Sequence, residues 1–211
     1  MAKGITQERI VAAALEVLDE GGADAVTVRA IAKKLGVQAP ALYWHVHSKQ
    51  ELLDEMGTEI HRRVQQAFDA DAFDNWLDGL TDYARVLRRE YLRHRDGART
   101  FSGTRLTDPS VLRAQEPWLR RWSSDNLTIA QLASAAELVS AFVVGFVIEE
   151  QERAQSVLAD PDRYSVARRD EALGEDVPLV RAVGHLRAND DTRFEEQLGI
   201  IVAGLQGAFG D

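Results

Sequence analysis

The sequence predicts an all-α fold, in which a small three-helix domain containing a helix-turn-helix precedes a larger helical domain. Apolar residues recur at helical spacing along nearly the whole chain, and no segment alternates apolar and polar residues as a half-buried strand does. The 211 residues, 45% of them hydrophobic, suffice for two separate cores. We therefore expect a helix-turn-helix domain at residues 1–48, a connecting helix at 49–67 and a second helical domain at 68–211.

The first helix is predicted over residues 6–20, where Ile10, Ala14 and Val17 fall on one face. Gly21 and Gly22 follow directly. Glycine commonly ends a helix because it tolerates a left-handed backbone conformation, so the helix should stop there.

Two short helical patterns with a glycine turn between them occupy residues 27–49. The Thr27 hydroxyl can cap the first free backbone N–H groups of the first helix. Gly36 permits the positive φ of a tight turn, and the second helix should begin near Gln38, with Pro40 in its first turn. This arrangement is typical of a helix-turn-helix that reads DNA.

The expected DNA contacts follow from side-chain chemistry. Arg29 can form two hydrogen bonds to a guanine, a contact that gives roughly 1–3 kcal/mol of discrimination. Gln38 can bind adenine, and Lys49 can donate to a phosphate. The complete predicted set is Thr27, Arg29, Gln38, Ala39, Pro40, Ala41, Tyr43, His45 and Lys49. The alternative is a plain helical hairpin in which Tyr43 and Trp44 serve a core.

The run LYWHV at residues 42–46, followed by a Ser-Lys pair and a new apolar helix, closely resembles the tetracycline-repressor (TetR) family. The resemblance continues in HRDGARTFSGTRL at residues 94–106, VVGFVIEEQE at 143–152 and FEEQLGIIVAGL at 194–205. It is weakest from about residue 154 to 192, which could form either an ordered gate or a disordered loop. The resemblance implies a repressor that binds a palindromic operator as a homodimer and leaves it when a small molecule binds the second domain.

The resemblance also implies positions for an effector pocket in the second domain. These positions are Gln65, Tyr83, Leu87, Phe101, Thr104, Arg105, Pro117 and, across the dimer, Glu149. Phe101 stands where the family has a magnesium-ligating histidine, and a phenyl ring has no lone pair for a hard cation. With Trp118 and Trp122 adding stacking surface, we expect an aromatic or polycyclic effector and neither a metal site nor a cofactor.

A dimer interface is expected on the two most apolar C-terminal helices. The residues predicted to form it are Leu132, Val139, Val143, Val147, Leu198, Ile201 and Leu205. A helix that is apolar on all sides must be buried on all sides, and the resemblance implies a four-helix bundle between two chains. Burial of these residues within one chain is the alternative.

Charge and composition fit a DNA-binding protein of the cytoplasm. The net charge is −9, but residues 1–50 hold six lysine or arginine residues against five acidic ones, so the acidity belongs to the second domain. The absence of cysteine excludes disulfides and thiol catalysis. Residues 1–6 contain no apolar leader, and the longest apolar run, residues 139–148, is too short for a membrane span.

Catalysis is the alternative from another functional class, and no residue is predicted to be catalytic. The HRD run at residues 94–96 lacks the asparagine that a kinase loop needs five residues later, because Phe101 occupies that position. A third interpretation is a DNA-binding protein that senses another protein.

Overall fold

The computed structural model describes residues 4–124 and 127–209, so the outermost residues of the two expected domains, 1–3 and 210–211, lie outside the described part. Within that part the chain is helical and contains no strand, which confirms the predicted all-α fold. The N-terminal helices are α1 (Gln7–Gly21), α2 (Val28–Leu35), α3 (Ala39–Leu42) and α4 (Lys49–Ala67). Those that follow are α5 (Trp76–Leu92), α6 (Gly97–Phe101), α7 (Pro109–Arg113), α8 (Glu116–Trp122), α9 (Ile129–Ala159), α10 (Val166–Leu173), α11 (Pro178–His185) and α12 (Asp190–Phe209). Short 3-10 helices cover Ala23–Ala25 and Ala70–Ala72.

Local hydrogen bonds set the ends of the N-terminal helices. The hydroxyl of Thr27 accepts from the backbone N–H of Ala30 at 3.2 Å, as its predicted capping role requires. Gly36 ends α2 in the left-handed region at φ 69°. Ser48 accepts from Glu51 N–H at 3.0 Å and starts α4, which has the bounds predicted for the connecting helix.

Pro109 and Pro117 lie in the first turns of α7 and α8, where a missing backbone N–H breaks no helical hydrogen bond. The weakly matching segment of residues 154–192 contains the end of α9 followed by α10 and α11, which pack on each other. It is therefore helical through most of its length.

The larger domain is built around α5 and α9, which pack against each other while α4 and α12 cover α5. Leu87 on α5 and Val143 on α9 are essentially inaccessible to water. A second cluster of buried residues, formed by Phe68, Trp122, Leu127 and Leu132, lies beside this main core.

Six of the seven residues predicted for a dimer interface belong instead to the core of one chain. Leu132, Val139, Val143, Val147, Leu198 and Leu205 are each at most 5% exposed. A side chain already removed from water gains no further apolar burial from a partner. The alternative of burial within the monomer therefore holds for these six, whereas Ile201 is half-buried.

Helix α9 is long and apolar enough to cross a membrane by length and composition alone. Its buried side chains pack against α5 and α12, as those of a core helix do. Only 33% of its most apolar stretch is buried within the chain. Apolar surface therefore remains on the side of α9 that faces away from the core.

Gly79 lets Trp122 lie directly on the backbone of α5, since a methyl group at this position would overlap the indole ring. We expect Gly79→Ala to lower the free energy of unfolding by about 1–3 kcal/mol through overpacking. In a Trp122→Phe background the smaller ring leaves space, and the higher helix propensity of alanine should make the same change neutral or stabilising by up to about 1 kcal/mol. Urea unfolding of the four proteins measures both effects. Equal costs in the two backgrounds would contradict this packing.

Candidate DNA-binding and effector sites

The predicted DNA contacts lie on one segment of the N-terminal domain, and most of them face solvent. Thr27, Arg29, Gln38, Pro40 and Lys49 are exposed. Ala39, Ala41 and His45 are half-buried, and the Tyr43 side chain is 52% exposed. Leu42 is buried and anchors α3 to the domain core. The small residues of α3 and the basic residues around it are therefore at least partly accessible to solvent.

Trp44 was missing from the predicted contacts, although it is 86% exposed. An indole ring left in water next to α3 does not serve a core, which argues against the plain-hairpin interpretation. Its position between Tyr43 and His45 in the sequence could have indicated that it shares their surface.

The basic side chains of this segment differ in whether they already form ion pairs within the chain. Within the described residues, the side chains of Arg29 and Lys49 form no hydrogen bond or ion pair. Lys34 instead lies 3.0 Å from Glu16 and also pairs with Glu20, and hydrogen bonds to Glu20 and Glu16 raise its pKa. Lys34 is therefore committed to α1, whereas Arg29 and Lys49 keep their donors available.

Three of the predicted effector residues meet in an aromatic cluster, which we define as Phe68, Phe73, Tyr83, Trp118 and Trp122. The Phe68 ring packs edge-on against Tyr83 at 5.7 Å and Trp122 at 6.1 Å, and lies parallel to Phe73 at 6.4 Å. Trp118 and Trp122 lie 5.7 Å apart. Burial raises the pKa of the Tyr83 hydroxyl, and a hydrogen bond with Ser140 partly offsets that effect. Phe68 and Phe73 were not predicted to belong here; they lie on either side of the short 3-10 helix Ala70–Ala72 that follows α4.

Other predicted effector residues lie elsewhere. Phe101 is buried against Tyr91 and His94, with ring separations of 6.4 and 6.1 Å. Leu87 is in the main core, Gln65 is half-buried and Pro117 is exposed. Glu149 is exposed and pairs with Arg187 and Arg193 of its own chain. Phe101 offers no ligand to a metal ion, so this position does not fit the magnesium that the resemblance associates with it.

Thr104 and Arg105 belong to a segment that is hydrogen-bonded to α4. The Thr104 hydroxyl donates to Phe101 O at 2.9 Å, and the backbone N–H of Arg105 donates to the Asp54 carboxylate at 3.1 Å. A methyl group at Gly57 would overlap Thr104, so the absence of a side chain there permits the close approach. Movement of residues 101–105 is therefore tied to movement of α4.

Asp108 continues this attachment about two turns further along α4, at Arg62. The Arg62 guanidinium donates to the Asp108 carboxylate at 3.0 Å, and the hydroxyl of Thr58 accepts from Thr107 N–H at 2.9 Å. Hydrogen bonds from Ser110, followed by that from Arg62, lower the pKa of Asp108 to about 2.

His94 joins the N-terminal domain to the larger domain. Its Nδ1 lies 3.1 Å from the Asp19 carboxylate on α1, and its Nε2 lies 3.3 Å from Arg63 on α4. A carboxylate only accepts and a guanidinium only donates, so the geometry fits the tautomer with its proton on Nδ1. Gln151 on α9 donates to His94 O at 2.7 Å. Three helices thus converge on one residue.

Asp96 forms a second junction beside His94. It has a left-handed backbone at φ 55°, the one positive φ of a non-glycine residue in the described chain. Its carboxylate accepts from Ala23 N–H at 3.1 Å and from Gln155 at 2.6 Å. Burial alone would raise the pKa of Asp96, but the bonds from Gln155 and Ala23, with Arg95 and Arg99 nearby, lower it on balance. One carboxylate therefore holds the N-terminal domain to α9.

Two family models match this arrangement of domains. The model described as "Bacterial regulatory proteins, tetR family" matches residues 10–56, and "Tetracyclin repressor-like, C-terminal domain" matches residues 70–208. The class D tetracycline repressor protein of Escherichia coli is 35% identical over 187 residues, which cover 89% of this chain and 82% of that protein. The chain belongs to the TetR family.

Solved structures of TetR-family proteins share the fold. A TetR variant from Acinetobacter baumannii AYE in complex with minocycline has a TM-score of 0.75 and 29% identity, over 98% of this chain and 96% of that one. ActR from Streptomyces coelicolor in complex with actinorhodin has a TM-score of 0.76 and 28% identity, over 99% of this chain and 100% of that one. This TetR-family chain is thus a ligand-responsive transcriptional repressor, with a DNA-binding helix-turn-helix and a helical C-terminal domain.

The junction at Asp96 yields a test of domain coupling. Asp96→Gly removes both hydrogen bonds of the carboxylate, and glycine adopts the left-handed backbone conformation without strain. We therefore expect the free energy of unfolding to fall by about 1–3 kcal/mol. Asp96→Ala should cost about 1 kcal/mol more, because alanine adopts a positive φ poorly. Urea unfolding measures both changes, and faster hydrogen exchange at the Ala23 amide would locate them.

The control for Asp96 is Asp69→Ala, which removes a carboxylate that accepts a hydrogen bond within its own loop.

The folded-state pKa of Asp96 is lowered, so its contribution to the free energy of unfolding is present at neutral pH. It disappears as the pH falls below the ordinary carboxyl value of 3.8 and through the lowered pKa. If the Asp96→Gly variant is as stable as the parent protein at neutral pH, Asp96 does not stabilise the junction between the domains.

Proposed function

We propose that this protein is a cytoplasmic homodimer that binds a palindromic operator and releases it when an aromatic or polycyclic effector enters the larger domain. Residues 1–48 serve as its DNA-binding domain, residues 49–67 as the connecting helix, and residues 68–211 as the ligand-binding and dimerisation domain. Its activity is binding and release, with no catalytic step. The observation that carries the proposal is the hydrogen-bonded attachment of the segment holding Thr104 and Arg105 to α4, since it joins a ligand domain to a DNA-binding domain.

The proposed dimer uses the outer faces of α9 and α12. Leu138 is 51% exposed and Ile200 is 73% exposed in the single chain. Small residues surround them at helical spacing: Ala141 and Gly145 on α9, and Ala203, Gly204 and Gly207 on α12. Exposed apolar surface of this kind is typical of a protein interface, and small residues let helix backbones approach closely. A two-fold axis through this surface forms a four-helix bundle from two chains.

A dimer brings two copies of the short helix α3 to the DNA. Two copies can contact half-sites about 34–36 Å apart on one face of the duplex. In each copy Arg29 would bind a guanine and Gln38 an adenine, while Lys49 would donate to a phosphate. Trp44 joins this surface because it lies exposed beside Tyr43.

Release follows from differential affinity of the effector for two arrangements of the dimer. The minocycline and actinorhodin complexes of similar proteins support binding of a small-molecule effector. A ligand that displaces Phe68, the residue directly after α4, or the segment of residues 101–108 attached to α4 would shift α4, which carries the DNA-binding domain. A coupling of about 1–3 kcal/mol between the two sites changes operator affinity roughly 5–150-fold.

Replacing Ile200 tests the dimer interface. In Ile200→Asp each interface would bury two unpaired carboxylates, so we expect the dissociation constant of the dimer to rise at least ~100-fold. Leu112→Asp is the matched control, because Leu112 is 53% exposed on α7, away from the proposed interface. Light scattering after size exclusion measures the mass of both variants. A dimeric Ile200→Asp protein would place the interface elsewhere.

Arg29→Ala tests base recognition after the operator has been obtained by selection from random DNA. The variant should lose about 1–3 kcal/mol of discrimination at one guanine of each half-site. Lys49→Ala is the comparison, because loss of a phosphate contact weakens all sequences alike and reduces the salt slope by about one. Binding titrations against single-base operator variants distinguish the two. Undiminished discrimination by the Arg29 variant refutes the guanine contact.

A further inference from the structure

A cavity of about 750 Å³ lies between the end of α9 and the helices α10, α11 and α12. Its volume is within the range of small-molecule sites, and it shares no residue with the aromatic cluster. One carboxylate, that of Glu196, lies among its lining residues. The arginine residues that line it are Arg153, Arg163, Arg169, Arg187 and Arg193. A chain of net charge −9 therefore has a concave surface that attracts anions.

Two of these arginines are neutralised by carboxylates of the same chain. The Arg187 guanidinium lies 3.1 Å from the Glu149 carboxylate and 3.3 Å from that of Asp190. The Arg193 guanidinium lies 2.7 Å from Asp190 and 3.5 Å from Glu149. Two positive charges thus meet two negative ones, so the attraction for an anion must come from the other three arginines.

Arg153 and Arg163 have no such partner. Within residues 4–124 and 127–209, neither guanidinium forms an ion pair with a carboxylate. The Arg153 guanidinium lies 3.7 Å from the ring centre of Tyr164, and this stacking leaves its N–H groups free to donate. A hydrogen bond with Ser156 lowers the pKa of the Tyr164 hydroxyl more than burial raises it, and Arg163 and Arg153 lower it further. Both guanidiniums therefore lie near one phenol ring, with their charges unbalanced.

The helix pair α10–α11 forms one wall of the cavity and is tied together mainly by its own polar contacts. In the described chain no residue of either helix is buried. Asp170 on α10 lies 2.6 Å from His185 on α11, and the Arg169 guanidinium on α10 donates to Val180 O on α11. A methyl group at Gly184 would overlap that guanidinium, so the glycine permits the close approach. A ligand that contacts both α9 and this pair would join them.

We propose that this cavity binds a phosphate monoester, with its phosphate group between Arg153 and Arg163. A phosphate monoester carries about −1.5 to −2 charges at neutral pH, which matches two unbalanced guanidiniums. Guanidinium N–H groups also fit the oxygens of a phosphate in pairs. Val166, Val183 and Leu186 line the same cavity and provide apolar contacts for the organic part of the ester.

The phosphate site goes beyond the proposed function, because it is separate from residues 1–48 and from the aromatic cluster. Arg153 belongs to α9, whereas Arg163 lies in the link that leads into α10. A phosphate held by both would fix α10 and α11 against α9. Gln197, which also lines the cavity, is about one turn from Ile200 on α12. The phosphate site is therefore next to the surface proposed for the dimer.

Butyl phosphate is a suitable probe, because it has a phosphate and a short alkyl chain but no aromatic ring that could enter the aromatic cluster. Butyl sulfate has nearly the same shape with a single negative charge. Isothermal titration of the full-length protein at low salt should give about tenfold weaker binding of the sulfate. Added salt should weaken the binding of both. Equal affinities for the two probes would overturn the assignment to a phosphate dianion, and binding of neither would refute the site.

Substitutions locate the phosphate. Arg153→Gln and Arg163→Gln should each weaken butyl phosphate binding about tenfold, whereas Glu196→Gln should tighten it about threefold by removing a negative charge. Arg168→Gln is the matched control, because Arg168 is exposed, pairs with Asp162 and does not line the cavity. Thermal melts establish that each variant is folded. If the control loses as much affinity as the other arginine variants, the attraction is general and the site is refuted.

Hydrogen exchange of the backbone amides provides a readout that needs no substitution. Butyl phosphate should slow exchange in α10 and α11 of the parent protein, because it joins these helices to α9. The same concentration should have no such effect on the Arg153→Gln variant. Slower exchange only outside α9, α10 and α11 would place the phosphate elsewhere and overturn the proposal. Operator selection tests the repressor role independently, so failure of the phosphate site leaves that role unaffected.

Discussion

Packing of α4 is the constraint on which both domains depend. Four of its buried side chains, those of Leu52, Met56, Ile60 and Val64, are at most 1% exposed. Through them one helix contacts α1 of the N-terminal domain and α5, α6 and α7 of the larger domain. Interiors packed to this density do not deform continuously, so α4 must move as a body or not at all. A shift at one end of α4 is therefore felt at the other.

The hydrogen bonds around α4 set the scale of the energy that a ligand must supply. A typical intramolecular hydrogen bond contributes about 0.5–1.5 kcal/mol net, and somewhat more when one partner is charged. Asp54, His94 and Asp96 each join two or more elements at the domain boundary. Rearrangement of two or three such bonds equals the roughly 1–3 kcal/mol of coupling that separates an operator-bound from a released state. No large remodelling of the core is needed.

The sequence predicted the elements well wherever a local chemical pattern defines them. Thr27, Gly36 and Pro40 each act through their own backbone, so the helix-turn-helix could be located residue by residue. The proposed dimer surface could not be located in this way, because α9 is apolar on nearly every side, and periodicity cannot tell which apolar side faces its own core. The small residues Ala141 and Gly145 of α9 are exposed on the face proposed for the dimer.

The candidate effector site was only partly predictable for a related reason. Family resemblance gives positions along the chain, but it does not say which side chains meet once several of them change. Phe101 occupies a position where the resemblance implies a histidine, and its ring packs against Tyr91 in the core. Phe68 and Phe73 follow α4 in a segment whose sequence has no helical pattern, and both pack into the same cluster as Trp122. Ring contacts between distant segments are known only from the three-dimensional structure, so the sequence alone could not have grouped Phe68 with Trp122.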